Sequence, residues 1–337
     1  MRDRLVAIAF LFVALLAPPP GAAAQRRPQQ LPCPDCNPPK RFVRGFGEVM
    51  VVQFIPWTVN SVIRDAEWAK IGPSVWATNI ENPWVWDNNH FLNNQFSHPY
   101  HGSLYYNAGR ANGYSFWQSV PWAFGGSLMW EWFFEGWAPA PNDWLNTSLG
   151  GITLGEMLHR VSTLTLDNRA TGSERMWREI GATALNPVRG FNRLIGGQMN
   201  DITANPADWR PSRIFASFDA GYRSGTGGDN LGNEGTTGVG FLQATLFYGD
   251  QVDDLGKSPF SAFNVNLEIA TEKQGERGRF AKLNARGNLG AHQLSRSAKS
   301  SQQLALFMSY EFLSSESIEF GGQGFQGGLV SRWGDPK

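Results

Sequence analysis

Residues 212–337 alternate apolar and polar side chains, and this alternation constrains the fold more than any other feature of the chain. A period of two is typical of antiparallel strands that have one apolar face. The clearest alternating segments contain Phe218, Val265, Leu283 and Leu306, and weaker ones cover residues 237–249 and 321–333. Segments of about ten residues are long enough to cross an outer membrane. The sequence therefore predicts an antiparallel β region over residues 212–337, as an outer-membrane β-barrel or part of one.

A soluble antiparallel sheet with one face on a core would show the same alternation. The membrane interpretation is favoured by the repeated dyads and by aromatic residues near the strand ends, namely Tyr248, Phe260, Phe312 and Trp333. We expect about six clear strands plus the two weaker segments, and the smallest membrane barrels have about eight strands. The predicted barrel is therefore small.

The first residues resemble a secretory signal peptide. Arg2 and Arg4 precede an apolar run over residues 5–16, and three alanines at 22–24 form a small-residue cleavage site. We therefore predict a signal peptide over residues 1–24 and an exported mature chain. Residues 25–44 follow as a proline-rich tether.

The two cysteines, Cys33 and Cys36, lie within this tether. In an exported chain such a pair predicts a small local disulfide. The alternatives are a redox pair, which normally opens a helix, or a metal site, for which two ligands are too few. Attachment of a c-type haem would require His at position 37, which is Asn37.

The composition limits the classes of partner. Removal of residues 1–24 takes away two arginines and one aspartate, so the formal net charge changes from 0 to −1. Nucleic acid is therefore not expected as a partner, because phosphate binding requires a basic surface. The 14 Trp and 23 Phe, with only 17% charged residues, indicate contact with a membrane or an aromatic-lined site. The expected partners are outer-membrane lipid and a lipid or glycan ligand.

Residues 45–200 are predicted to form a Trp-rich helical domain. Residues 48–68 are expected to be helical and broken near Pro56. Residues 111–130 lack charge and are long enough for a membrane helix, although polar residues, Pro121 and two glycines favour a buried helix pair. Asn142 or Asp143 is expected to cap the next helix, and small residues on it would pair with Gly125 and Gly126.

Candidate reactive groups concentrate in this domain. Glu131 and Glu135 are four residues apart, a spacing that suits a shared proton or a cation. His98 and His101 would bring two imidazoles together, with Pro99 expected to make the intervening backbone extended. Asp143 and Glu156 would orient the imidazoles. A buried polar network of the same side chains, without catalysis, is the competing interpretation.

At these residues the chain also resembles a known family. The segments that carry the resemblance are WVWDNNHFLNNQFSHPYHGSLYYNAGRANGYSFW, SLMWEWFFE, NDWLNTSLGGITLGE and LNPVRGFNRLI. They are similar to the bacterial domain of unknown function 3943, over roughly residues 45–195. The resemblance implies an exported envelope protein of Gram-negative type, often with a β-rich C-terminal part. It implies no activity.

Together these features predict an α+β protein, in which a Trp-rich helical domain precedes an antiparallel sheet. The predicted function is that of an outer-membrane-associated envelope protein, whose helical domain plugs or packs on the sheet and binds lipid or glycan. The alternative is a membrane-surface hydrolase or metal-dependent enzyme acting on envelope lipid or cell-wall material. In that case the catalytic candidates are His98, His101, Glu131, Glu135, Asp143 and Glu156. No cofactor is specified by the sequence.

Overall fold

The computed structural model describes residues 31–88, 90–206, 208–228, 234–271, 279–315 and 318–334. The predicted signal peptide, residues 1–24, lies outside these ranges. The described residues divide into two compact units, a helical unit that ends at Arg210 and a β unit that begins at Pro211. The predicted α+β class, with helices followed by an antiparallel sheet, is confirmed.

The described part of the helical unit contains eight α-helices. They are α1 Phe42–Thr58, α2 Pro73–Glu81, α3 His98–Arg110, α4 Phe116–Met129, α5 Pro141–Leu145, α6 Gly151–Thr165, α7 Gly172–Leu185 and α8 Pro187–Ile195. Four π-helical turns extend or join them, at Val59–Ile63, Asn93–Ser97, Trp130–Phe134 and Asn146–Gly150. Turns of this kind occur frequently at functional sites. Two of the four, Asn93–Ser97 and Trp130–Phe134, contain or adjoin a candidate residue.

The prediction of an extended backbone at Pro99 is wrong. His98 and Pro99 are the first residues of α3, and His98 has φ −61° and ψ −52°. The preceding π-helical turn leads directly into the helix, with the His98 N–H donating to the carbonyl oxygen of Asn93. Proline is tolerated in the first turn of a helix, where its missing N–H is not needed. His98 and His101 therefore lie three residues apart, on the same side of the first turn of α3.

The predicted break at Pro56 is also absent. Pro56 lies inside α1, which continues to Thr58 and then through the π-helical turn Val59–Ile63. The segment Phe42–Ile63 is the one described helix long and apolar enough to cross a membrane, and only 17% of its apolar window is buried. The other candidate, residues 111–130, is not a single helix, because a turn at residues 111–113 precedes α4.

The prediction of a helix cap at Asn142 or Asp143 is also wrong. Neither Asn142 nor Asp143 caps a helix, because α5 begins at Pro141 and its N-cap is Ala140. Both side chains are instead buried. Side-chain caps are found instead at α4, where Ser115 and Gln118 form a capping box, and at α8, where the Asn186 side chain accepts from the Arg189 N–H.

Helix α3 lies at the centre of the unit and packs against α1, α4, α6 and α8. Its closest neighbour is α6: a Cβ on Gly151 would lie 2.4 Å from the carbonyl carbon of Gly102. Gly126 of α4 lies against the ring of Tyr105. The predicted pairing of Gly125 and Gly126 with Gly151 is therefore wrong, because α3 provides the partner for both helices.

The β unit is a six-stranded sheet in which each strand pairs antiparallel with the next. The strands are β1 Ile214–Gly228, β2 Glu234–Tyr248, β3 Phe263–Thr271, β4 Arg279–Arg296, β5 Ser300–Ser314 and β6 Glu319–Trp333. The two weaker segments of the sequence are β2 and β6, so the described residues contain six strands in total rather than six plus two. Within these residues the sheet is open, since β1 and β6 each pair on one side.

The register places most of the apolar residues of the six strands on one face, with exceptions such as Phe215, Phe247 and Phe320 on the other. One row across the sheet is Phe218, Ala244, Leu267, Leu283, Phe312 and Gly321. The neighbouring row, on the opposite face, is Ser217, Thr245, Asn266, Asn284, Glu311 and Gly322. Successive residues of a strand point to opposite faces. One face is therefore mainly apolar and the other mainly polar, as the alternation predicts.

Candidate functional site

A cavity of about 1060 Å³ lies in the helical unit, bordered by α1, the start of α3 and α8. Its volume is at the upper end of the range of roughly 300–1,000 Å³ that is usual for small-molecule sites. Most of its lining is apolar, from Val51, Val52, Ile55, Leu104, Trp130, Trp137, Val188 and Phe191. Three of the predicted site residues, His98, His101 and Glu135, also line it. The cavity thus has apolar walls and a small polar region.

His101 has a specific structural partner on the cavity wall. Its Nε2 lies 3.1 Å from the carbonyl oxygen of Val52, which can only accept a hydrogen bond, so Nε2 carries the proton. In an α-helix this carbonyl would accept from residue 56, but Pro56 has no N–H. His101 therefore replaces the donor that Pro56 removes from α1. Burial lowers the pKa of His101 to about 4, so the imidazole is neutral near pH 7.

His98 lies deeper, between α3 and the π-helical turn before α6. Its Nδ1 is hydrogen-bonded to the Thr147 hydroxyl at 2.9 Å, and its Nε2 is 3.9 Å from an Asp143 carboxyl oxygen. Burial, and then the neighbouring His101, lower the pKa of His98 to about 4. A separation of 3.9 Å exceeds a direct hydrogen bond and suits one bridging water.

The carboxyl of Asp143 is buried close to a second acid. Burial raises its pKa to about 8, and the hydrogen bond and negative charge of Asp87 act in the same direction. Asn142 also donates to an Asp143 oxygen, at 3.0 Å. Asp143 is therefore largely protonated near pH 7, and its contact with the neutral His98 is not an ion pair.

Glu131 and Glu135 lie near this group, but they do not share a helix face as their spacing predicts, because Glu135 follows the π-helical turn Trp130–Phe134 with an extended backbone. Burial, and then the charge of Glu135, raise the pKa of Glu131 well above its usual value. One Glu131 oxygen accepts from the Ala140 N–H at 2.8 Å. Burial raises the pKa of Glu135 to about 7, although the indole N–H of Trp130 donates to it at 3.1 Å. Near pH 7 Glu131 is therefore held mainly as a neutral hydrogen-bonding group, whereas Glu135 is about half ionised.

Glu156 does not join this cluster. Tyr106 and Arg110 donate to its Oε2 at 2.8 and 2.7 Å, and Arg160 donates to its Oε1 at 2.9 Å. Burial alone would raise the pKa of Glu156, but Arg110 and Arg160 outweigh it and hold the pKa below its usual value. Glu156 is therefore an ionised group that links α3 to α6, and it does not orient His98 or His101.

The arrangement limits the chemistry of the cavity. Among the described residues, no group of three or more His, Cys, Asp or Glu side chains is placed to hold a metal ion. Near pH 7 the polar region offers two neutral imidazoles and the carboxyls of Glu48 and Glu135, whose pKa values are raised by burial to about 7, while the largely protonated Asp143 lies next to His98. Such groups donate and accept hydrogen bonds with uncharged parts of a ligand, and the His98–Asp143 pair can also transfer a proton through a water.

The cysteines lie outside the cavity. Cys33 and Cys36 form a disulfide that closes a four-residue loop. Asp35, within this loop, lies 3.2 Å from Nη1 of Arg193 and accepts from the Asn168 amide at 3.0 Å. The loop is thereby attached to the region that follows α6 and to α8.

Several residues of the site were not singled out from the sequence. Thr147 and Asp87 contact the predicted residues His98 and Asp143, and Val51, Val52 and Ile55 form much of the cavity wall. The polar residues had no recognisable signal, because their proximity arises from tertiary packing. The apolar length of Phe42–Ile63 was a usable signal for the wall, since a long apolar helix must meet other apolar surface or lipid.

Comparisons with known proteins add one match. No curated protein and no solved structure matches the chain. A family model described as "Domain of unknown function (DUF3943)" matches residues 83–188, which include α3 to α7 and all of His98, His101, Glu131, Glu135, Asp143 and Glu156. The predicted resemblance to DUF3943 is confirmed over residues 83–188 of the helical unit.

Proposed function

We propose that this protein is an envelope protein associated with the outer membrane, and that its helical unit binds a lipid by enclosing an apolar chain of the ligand. The observation that carries the proposal is the cavity of about 1060 Å³ with apolar walls. Burial of apolar surface stabilises a bound chain by roughly 0.8 kcal/mol for each CH₂ group. A chain of fatty-acid length therefore provides ample binding energy without any catalytic contact.

The polar region of the cavity favours an uncharged group of the lipid next to the chain. His98 and His101 are neutral near pH 7, and so is most of Asp143. A free carboxylate or phosphate at this depth would lack a cationic partner, which is costly in an apolar site. A hydroxyl or an ester carbonyl has no such cost. Arg44 and Arg64 also line the cavity, and these are the groups available to a charged headgroup.

The membrane association is supported by the β unit. An apolar face continues across all six strands, and large side chains on it are exposed, including Tyr222, Phe325, Leu329 and Trp333. Contiguous exposed apolar surface usually marks a contact with protein or membrane. Cell fractionation tests the location: recovery of the mature chain in the soluble periplasmic fraction without detergent would contradict it.

Two glycines provide a matched test of lipid binding. A Cβ at Gly47, on the cavity lining, or at Gly125, away from it, would meet no atom within 4 Å. We expect Gly47→Phe to fill the cavity without distorting α1, while Gly125→Phe makes the same change on open surface. With the full-length mature protein in detergent and a fluorescent fatty-acid ester as probe, Gly47→Phe should weaken binding at least about tenfold.

The control variant Gly125→Phe should bind the probe as the parent does. Equal affinities for the Gly47→Phe variant and the parent would show that the cavity is not the binding site. Failure of the parent itself to bind the ester would overturn the lipid-binding function, since the probe carries the uncharged group and chain that the cavity should accept.

One observation favours a second function, a hydrolase acting on envelope lipid. His98 and Asp143 lie 3.9 Å apart at the cavity, within reach of each other through one water. The Thr147 hydroxyl contacts His98 but is only 2% exposed, so water rather than Thr147 would be the nucleophile. Turnover of a lipid ester by the parent, lost in both His98→Gln and Asp143→Asn, would establish this function. Absence of turnover in the parent would exclude it for that substrate.

A further inference from the structure

The two outer strands of the sheet, β1 and β6, are both 15 residues long. In the described residues each pairs with a neighbour along one side only. The need for partners at both edges rests on the proposed membrane location. In lipid, backbone N–H and C=O groups along a sheet edge must find partners, because no water is present to bind them. Six strands are fewer than the roughly eight found in the smallest membrane barrels, so further strands must complete the sheet.

We propose that the partner is a second copy of this chain, with β6 of each copy pairing against β1 of the other to close a twelve-stranded barrel. The direction of the strands fits this arrangement. All neighbours in the sheet are antiparallel, and six is an even number, so β1 and β6 run in opposite directions. Placing β6 beside β1 of another copy therefore continues the same alternation around the whole ring. Bacterial membrane barrels have an even number of strands.

The side chains of the two edges also fit. When the strands are aligned over their full length, Ile214 is opposite Trp333, Phe218 is opposite Leu329, and Tyr222 is opposite Phe325. All of these residues belong to the apolar face, where aromatic and β-branched cross-strand pairs stabilise a sheet. Tyr222 and Trp333 are each 71% exposed in the single chain. The alignment joins the two apolar faces into one surface.

On the polar face the two edges differ in side-chain size. The same alignment places Asp219 opposite Gly328 and Arg223 opposite Gly324. A Cβ at Gly328 would meet no atom within 4 Å, and one at Gly324 would meet only the Ser309 hydroxyl, at 3.5 Å. At these positions the polar face of β6 therefore presents no bulky side chain that would obstruct β1 of another copy.

Neither edge contains a proline, a lysine or a bulge. Soluble proteins commonly place proline, lysine or a bulge in an edge strand. Neither β1 nor β6 contains proline or lysine, and the irregularities of the sheet lie between β4 and β5. Two regular edges of equal length and matching pattern, both on this chain, favour a copy of the chain over an unrelated partner.

Cysteine cross-linking tests the proposed edge directly. Ala220 and Gly327 are opposite each other in the alignment, and a Cβ at Gly327 would meet no atom within 4 Å. Full-length chains with Ala220→Cys and Gly327→Cys would carry tags of different size and be co-expressed, then oxidised in isolated membranes. The native cysteines form their own disulfide. We expect a disulfide-linked band at the combined mass of the two tagged chains.

The matched control uses Ala216→Cys with the same Gly327→Cys. Ala216 lies on the same face of β1 but four residues away, about 13 Å along the strand, so little cross-linking is expected. Absence of the combined band for the Ala220 pair would overturn the proposal. So would a double variant with both cysteines in one chain that cross-links only at the mass of a single chain, because the sheet would then close on itself.

Detergent extraction of the same samples separates this proposal from the proposed function. A chain that requires detergent but gives no cross-link contradicts the second copy and leaves the membrane location in place. A cross-linked pair recovered without detergent supports the edge pairing and contradicts the membrane location.

Discussion

His101 donates a hydrogen bond to the carbonyl oxygen of Val52, the acceptor that Pro56 leaves without its helical donor. This contact joins α3 to α1 at the wall of the cavity. It also accounts for a proline inside a helix that continues for two further residues. The same imidazole that sequence spacing marks as catalytic thus satisfies a backbone group.

The contact predicts coupling between His101 and Pro56. We expect His101→Ala to lower the free energy of unfolding by about 1–3 kcal/mol, since it leaves a buried carbonyl without a donor. In a Pro56→Ala background the restored backbone N–H should reduce this loss. A double-mutant cycle by chemical denaturation measures the difference. Pro121, inside α4, is the control: Pro121→Ala and His101→Ala should have additive effects. Additivity for Pro56 as well would show that His101 does not replace its donor.

The raised pKa of Asp143 predicts a loss of stability with rising pH. The unfolded carboxyl titrates near pH 4, whereas the folded one has a pKa of about 8. Between these values the folded state binds more protons than the unfolded state, so the free energy of unfolding falls as pH rises. Asp143→Asn removes this titration and keeps the shape. Melting temperatures from pH 5 to 9 should fall less steeply for the variant. Parallel curves for variant and parent would contradict the buried, protonated Asp143.

Glu156 should be important for stability and unimportant for ligand binding. It is fully buried and accepts from Tyr106, Arg110 and Arg160. Glu156→Gln leaves two buried guanidinium groups without their carboxylate, which typically costs about 3–5 kcal/mol. Glu174, in an exposed pair with Arg178, is the control, and Glu174→Gln should cost less than about 1 kcal/mol. A Glu156→Gln variant that unfolds like the parent but no longer binds the lipid ester would reverse this assignment.

The close approach of α3 and α6 depends on two glycines. A Cβ on Gly102 would lie 1.8 Å from the carbonyl oxygen of Thr147, and one on Gly151 would lie 2.4 Å from Gly102. Because each added Cβ would overlap backbone atoms of the facing segment, Gly102→Ala should destabilise the protein by about 1–3 kcal/mol or more. Gly125→Ala, on open helix surface, should instead stabilise it by up to about 1 kcal/mol. Denaturation midpoints of the two variants test this difference, and equal midpoints would contradict the close packing of α3 against α6.

Local patterns predicted much of the architecture. The alternation around Phe218 and Leu283 indicated strands, and the register places both residues in the same apolar row. Such predictions succeed because side chains of a strand alternate strictly between two faces. The expectation at Pro99 failed for a comparable local reason, since the rule for residues before proline does not include a preceding π-helical turn.

The candidate site was predictable in part. The charge of Glu135 raises the pKa of Glu131, but the two do not lie on one helix face as a four-residue spacing in a helix indicates, because Glu135 is extended. Glu156, only 13 positions after Asp143, belongs to a different cluster, because helix α6 turns its carboxylate toward Arg110 of α3. Which cluster Glu156 joins depends on which face of α6 packs against α3. The close contact between Gly102 and Gly151 fixes that face.

The sequence by itself determined the α+β class, the strand faces and the family of residues 83–188, because each is encoded by neighbouring residues or by long contiguous motifs. The tertiary structure alone decided which side chains share the cavity. His101 meets Val52, 49 positions away, and His98 meets Thr147 across the same interval in the other direction. Contacts between distant positions depend on helix packing, and burial in that packing sets the protonation of His98 and Asp143.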